Sequence, residues 1–261
     1  MTQLPVVFLS HGSPMHAIEP GAAGPAWRAL AAALPRPRAL LIASAHWETD
    51  SPAFTAQARP ETIHDFSGFP EPLYRLRYAA PGEPALAQRA AALLRAAGLD
   101  AGVDTARGLD HGAWAPLLYM YPAADIPVLQ VSVQSDRGTA HHLALGRALA
   151  PLAAEGVLIL GSGHMTHNLR DRLPPGSAAH PYVLAFRDWI DARVQARDLE
   201  ALADYRARAP QAPRAHPSEE HFLPLFVALG AAAPEGRIEH LLPEVYSSAL
   251  AMDAYVFHPM H

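Results

Sequence analysis

Apolar residues run unbroken through three stretches of the chain, and each run leads into histidine. Pro5 to Leu9 leads into Ser10-His11-Gly12-Ser13-Pro14, and Ala39 to Ala43 into Ser44-Ala45-His46-Trp47. Val157 to Leu160 leads into Gly161-Ser162-Gly163-His164, with Met165-Thr166-His167-Asn168 behind it. Continuous rather than alternating apolar runs of this length mark strands covered on both faces of a sheet. The pattern predicts strands over 4–10 and 39–45, near 53–56 and 102–104, over 127–133, and from Gly156 into His164. Helical spacing predicts helices from Pro25 to Leu34, Pro84 to Ala97 with Gly98 closing it, His111 to Tyr121 and His141 to Leu152. Two more are predicted, over most of 181–204 and from Ser218 to Leu229, the latter with Pro217-Ser218-Glu219-Glu220 as its N-terminal signature. Ser247 to Phe257 alternates like an edge or antiparallel strand. Residues 50–82 hold little periodicity and several prolines, and an ordered loop of that length usually carries function. The expected architecture is α/β: one domain over 1–261, with a mixed, mostly parallel central sheet and helices on both faces. In such sheets ligands bind outside the carboxyl ends of the strands, which is where three runs deliver histidine.

Composition narrows the chemistry. Half of the 261 residues are hydrophobic, enough for a sizeable core, and the net charge of -5 shows no basic stripe that would suit nucleic acid. There are 0 cysteines, which removes disulfides, thiolate nucleophiles and Cys-type zinc sites. Lysine is absent too, so Schiff-base and P-loop chemistry are excluded. No apolar run approaches the ~20 residues that span a bilayer, and no basic-then-apolar leader opens the chain. A soluble, cytoplasmic protein is expected, and its oligomeric state is left open.

The 15 histidines divide by context. His141, His142, His180, His240, His258 and His261 fall on polar faces or ends and read as structural. His11, His46, His164 and His167 follow apolar strands, where a polar ring needs a reason, and neutral imidazole is the commonest metal ligand. His221 stands among acidic residues at a helix start. His111 follows Asp110, which suits a helix cap. The H-E-x-x-H, G-x-S-x-G and P-loop patterns are missing. Gly161-Ser162-Gly163 after a strand suits an anion cradle, but Thr166 stands where a third glycine would complete a dinucleotide fingerprint.

The ordered set of motifs resembles the LigB-type class III extradiol ring-cleavage dioxygenases, in particular their DOPA 4,5-dioxygenase branch. The segments are Leu9 to Met15, Ser44 to Trp47, Thr62-Ile63-His64-Asp65-Phe66-Ser67-Gly68-Phe69-Pro70, Leu73-Tyr74, Tyr78 to Gly82, Gly108 to Trp114, Met120-Tyr121-Pro122 with Asp125-Ile126-Pro127, Gly161 to Arg170 and Glu220 to Leu225. They span almost the whole chain in order. The resemblance implies metal ligands His11, His46 and His221, with Glu220 beside the third, where the wider family often uses two histidines and a glutamate. It implies His167 as acid/base catalyst, or as a fourth ligand in zinc-binding relatives. In the mechanism expected on that basis, His111 is a second catalytic residue that hydrogen-bonds bound oxygen. His164 and Asp110 are kept as additional site residues. Fe(II) is expected for activity, with Zn(II) as an alternative bound ion. The implied partners are a small DOPA-like catechol and O2, with a muconic semialdehyde as product; neither nucleic acid nor membrane is expected. Phe66, Phe69, Tyr74 and Trp114 would wall the ring, and Arg170 would meet a substrate carboxylate. A zinc-dependent hydrolase and a non-catalytic metal-binding protein on the same scaffold stay open as alternatives.

Overall fold

A computed structural model describes residues 3–174, 176–242 and 244–260. Its centre is an eight-stranded sheet in the order β4-β3-β5-β2-β6-β1-β10-β7. The strands are β1 (Val6–Ser10), β2 (Ala39–Glu48), β3 (Ala53–Thr55), β4 (Gly102–Asp104), β5 (Val128–Val133), β6 (Val157–Gly163), β7 (Ile238–Leu241) and β10 (Ala254–Phe257). A small hairpin, β8 (Val245–Tyr246) with β9 (Leu250–Ala251), stands apart. The middle of the sheet, β5-β2-β6-β1, is parallel. β10 and β7 are antiparallel additions beyond β1, and β3 pairs antiparallel with β5.

The apolar runs are continuous because successive side chains enter two different cores. Val6, Phe8, Leu41, Val131 and Ile159 face a layer made by helices α3 (Pro84–Ala96), α5 (Gly138–Leu149), α7 (Pro181–Gln195) and α11 (Leu223–Ala231). Val7, Leu9, Leu40, Ile42 and Leu160 face α1 (Ala23–Ala33) and α4 (His111–Met120). Short helices complete the chain: α2 (Glu71–Arg75), α6 (Pro151–Ala154), α8 (Leu199–Ala203), α9 (Tyr205–Arg208) and α10 (Ala212–Ala215). No described helix is long and apolar enough to cross a membrane.

Several expectations change. The segment predicted as helix from Ser218 begins only at Leu223. Pro224 is the reason: proline is tolerated in the first helical turn and breaks later ones. Ser218 Oγ bonds Glu220 instead of capping, so His221 sits in the turn before α11. Asp110 does occupy the N-cap of α4, but its side chain makes no capping bond. Ser247 to Phe257 is antiparallel as expected, yet β10 lies inside the sheet between β1 and β7 rather than at its edge. The 181–204 segment breaks at Arg197, whose φ is +54°, and β7 was not foreseen. His142, placed on a polar face and read as structural, is fully buried and satisfied; its Nε2 accepts from Gln134 N at 3.1 Å and its Nδ1 donates to Gly138 O at 2.7 Å. His261 lies outside the described residues.

Candidate metal centre and active site

The parallel strands end on one side of the sheet and carry their histidines there. His11 follows β1, His46 stands near the end of β2, and His164 follows β6. Gly12, at φ +75°, turns the chain away immediately after His11. The turn before α11 brings His221 down onto β6, where two glycines admit it. A Cβ on Gly161 would lie 2.2 Å from Pro224 O, and one on Gly163 would lie 2.2 Å from His221 O. His164 N donates to His221 O at 2.7 Å and fixes the turn. The Gly161-Ser162-Gly163 motif, read as an anion cradle, is therefore where a turn packs on a strand.

Three imidazoles converge. His46 Nε2 lies 3.0 Å from His11 Nε2 and 3.3 Å from His221 Nε2. The opposite nitrogen of each ring is committed. His11 Nδ1 donates to Ser162 Oγ at 3.1 Å, since that hydroxyl spends its own proton on Gly112 O. His46 Nδ1 faces Asp65 Oδ2 at 3.2 Å, and His221 Nδ1 faces Glu220 Oε1 at 2.8 Å. A neutral imidazole carries one N–H, so these oxygens hold the proton on Nδ1 and leave three Nε2 lone pairs pointing at one another. Burial first, then the neighbouring histidines, hold His11 and His221 well below the ordinary imidazole pKa and His46 at about 4. Three facing lone pairs repel unless a cation lies between them. A tetrahedral ion with metal–nitrogen bonds of about 2.0–2.1 Å places its ligands about 3.3 Å apart, so the donor set fits a divalent transition ion in both chemistry and spacing. Oxygen acceptors behind each ring are the usual support of a histidine metal site.

Around this cluster lies a cavity of about 310 Å³ lined by His111, His164, His167, Phe66, Phe69 and Arg172, among others. The His167 ring stacks on His221, with centroids 3.4 Å apart and planes 11° from parallel. Burial and neighbouring histidines lower its pKa to about 3. His111 Nδ1 donates to Asp65 Oδ2 at 2.9 Å, and its backbone N donates to Asp65 Oδ1 at 2.9 Å. One carboxylate thus serves His46 and His111 together. Burial would raise the Asp65 pKa, but the hydrogen bonds and charge of its histidine partners outweigh it and bring the value to about 2. His164 is buried beside His11, ring centroids 5.1 Å apart, and its Nδ1 has no hydrogen-bond partner among the described residues.

Asp110 does not join the converging nitrogens. Its oxygens accept from Ser44 Oγ at 2.7 Å, Gln130 Nε2 at 2.7 Å and Arg107 Nη2 at 3.1 Å, a buried brace between β2 and β5. Of the four aromatics expected to wall the ring, Phe66 and Phe69 line the cavity. Trp114 is fully buried and donates to Ile63 O, while Tyr74 OH accepts from Phe69 N. Arg170 and Arg172 are both exposed, and it is Arg172 that lines the cavity. Sequence reasoning missed the roles of Asp65, Ser162 and Arg172. Asp65 alone carried a signal, since it stands in the long aperiodic loop.

The family described as the catalytic LigB subunit of aromatic ring-opening dioxygenase matches residues 5–258. A protein of Beta vulgaris named 4,5-DOPA dioxygenase extradiol is 45% identical over 237 residues, covering 89% of this chain and 88% of its own length. A protein of the same name from Escherichia coli K12 is 41% identical, covering 88% of this chain and 86% of its own. A crystal structure described as an uncharacterized protein of Escherichia coli K12 superposes with a TM-score of 0.85 at 33% identity, over 98% of this chain and 100% of that one.

Proposed function

The chain belongs to the LigB family of catalytic subunits of aromatic ring-opening dioxygenases, and on that premise we propose that it cleaves a DOPA-like catechol beside its two hydroxyls, with Fe(II) held by His11, His46 and His221. The observation that carries this reading is the convergence of three neutral Nε2 atoms, each backed by an oxygen on Nδ1, at the wall of an aromatic-lined cavity. Zn(II) fits the same nitrogens. Bound Fe(II) supplies Lewis acidity toward the catechol oxygens and an electron path between catecholate and dioxygen.

The residues of the chain do the rest. Phe66 and Phe69 pack against the ring and keep water from it. His167, unprotonated in the free protein, accepts a hydroxyl proton; the negative charge of an arriving catecholate raises its pKa back toward the working range. His111, its Nδ1 proton held on Asp65, offers Nε2 as an acceptor to a catechol hydroxyl. The ring carbon–carbon bond beside the diol breaks, and both oxygen atoms of O2 enter the muconic semialdehyde product.

The test is oxygen uptake by protein reconstituted anaerobically with Fe(II), given L-DOPA or 4-methylcatechol, with the yellow product followed by absorbance. Uptake matched to colour is expected. No uptake with either catechol by iron-loaded protein overturns the reading.

A further inference from the structure

Among the described residues the cavity carries one guanidinium, and no carboxylate answers it. Arg172 lines the cavity beside Leu169 and Leu250 while being itself exposed to solvent. Its charged end stands 6.0 Å over the Tyr246 ring, and no acidic side chain pairs with it among the described residues. Among the described residues the only carboxylate lining the cavity is Asp65. Its oxygens are committed, Oδ1 to His111 N and Oδ2 to the Nδ1 atoms of His111 and His46. The remaining polar lining is mostly imidazole. A substrate side chain entering here meets an uncompensated cation and no free anion.

We propose that Arg172 is a specificity-determining residue that reads a carboxylate on the side chain of the substrate, so that the site takes catechol acids and turns away catechol amines. The inference rests on the ring-cleavage reading above and deepens it. A carboxylate meeting a guanidinium makes paired, charge-assisted hydrogen bonds, and hydrogen bonds to charged groups are strong enough to discriminate about 10-fold or more. An ammonium at the same place meets like charge, with no free carboxylate among the described lining residues to offset its lost hydration. For a zwitterionic amino acid the carboxylate gains this contact and the amine gains nothing. An acid lacking the amine therefore binds at least as well.

The experiment uses Zn(II)-loaded protein without oxygen, so that binding is read apart from turnover. Titration calorimetry compares 3-(3,4-dihydroxyphenyl)propanoate, 4-methylcatechol and dopamine. The acid is expected to bind about 10-fold or more tighter than the neutral catechol, with dopamine weakest. In Arg172→Gln the acid-to-neutral affinity ratio should collapse toward one, and Arg172→Lys should restore part of it, keeping the charge but losing the planar fork. Oxygen uptake by the Fe(II) protein should show the same ratio in kcat/KM. Equal binding of acid and neutral catechol, or a ratio that Arg172→Gln leaves in place, overturns the role of Arg172 while the ring-cleavage reading stands. Failure of all three catechols to bind overturns both.

Discussion

Gly163→Ala places one methyl group where the metal-site turn rests on β6. The new Cβ would lie 2.2 Å from His221 O, 3.1 Å from its carbonyl carbon and 3.2 Å from Pro224 Cγ. Nonbonded heavy atoms settle at about 3.5 Å, so the turn must retreat by roughly 1 Å. His221 Nε2 is 3.3 Å from His46 Nε2, and metal–ligand distances tolerate deviations of only about 0.2 Å. A retreat on that scale takes His221 out of coordination range and stretches the His164 N to His221 O bond. Overpacking should cost about 2 kcal/mol of stability, a fall of about 4–8 °C in Tm for a chain of this size. Metal affinity should fall by about 100-fold or more, because one of three ligands is displaced. The assay is metal content by mass spectrometry after equilibration against a chelator series, with a thermal melt by circular dichroism alongside. Gly102→Ala is the control, since a Cβ there meets nothing within 4 Å. Gly163→Ala holding one metal ion per chain at wild-type affinity would refute the claim that the glycine positions the third ligand.

Three further outcomes follow from the same geometry. His167→Ala should retain metal by mass spectrometry yet lower ring cleavage by ~10²-fold, the usual share of a general base; near-normal turnover removes His167 from the mechanism. Asp65→Asn keeps the shape but puts an amide donor where two N–H groups converge, so Co(II) or Zn(II) affinity should drop by about 10–100-fold; unchanged affinity would mean that His46 holds its orientation without Asp65. Acid stability tests His142, whose folded pKa is about 4, depressed by burial from an ordinary 6.5. Between those values the unfolded chain binds a proton that the native chain does not, so stability is full above pH 6.5 and falls as pH drops toward 4. The contribution is about 3 kcal/mol. His142→Gln retains an acceptor for Gln134 N, and its urea stability should decline less than wild type over pH 7 to 4.5; parallel curves would contradict the assignment.

The hydrophobic pattern by itself determined the strands that matter. β1, β2 and β6 hold continuous apolar runs because each is buried on both faces, and each carries its histidine in the polar residues that follow the run, at or just past the carboxyl end of the strand. His11, His46 and His164 were legible as neighbours for that reason, and the ordered motifs pointed to the family. Local sequence could not decide what depends on packing between distant segments. Whether His221 meets His11 and His46 turns on Gly161 and Gly163, which give way to a turn some 60 residues later in the chain. The proton on each ligand's Nδ1 is set by Ser162, Asp65 and Glu220, of which only Glu220 adjoins its histidine. α11 starts at Leu223 and not at Ser218 because Pro224 fits only the first helical turn, a backbone constraint that outranks a serine followed by glutamates. Whether His142 stood on the surface or satisfied in the core was not legible, because helical spacing does not reveal that Gln134 N and Gly138 O close over it. Arg172 and Arg170 are indistinguishable as letters, and both are exposed; only the chain's path past His167 sets Arg172 against the cavity. Periodicity reports which face of an element is buried, whereas a site is made where the faces and ends of different elements meet, and that meeting is fixed only by three-dimensional packing.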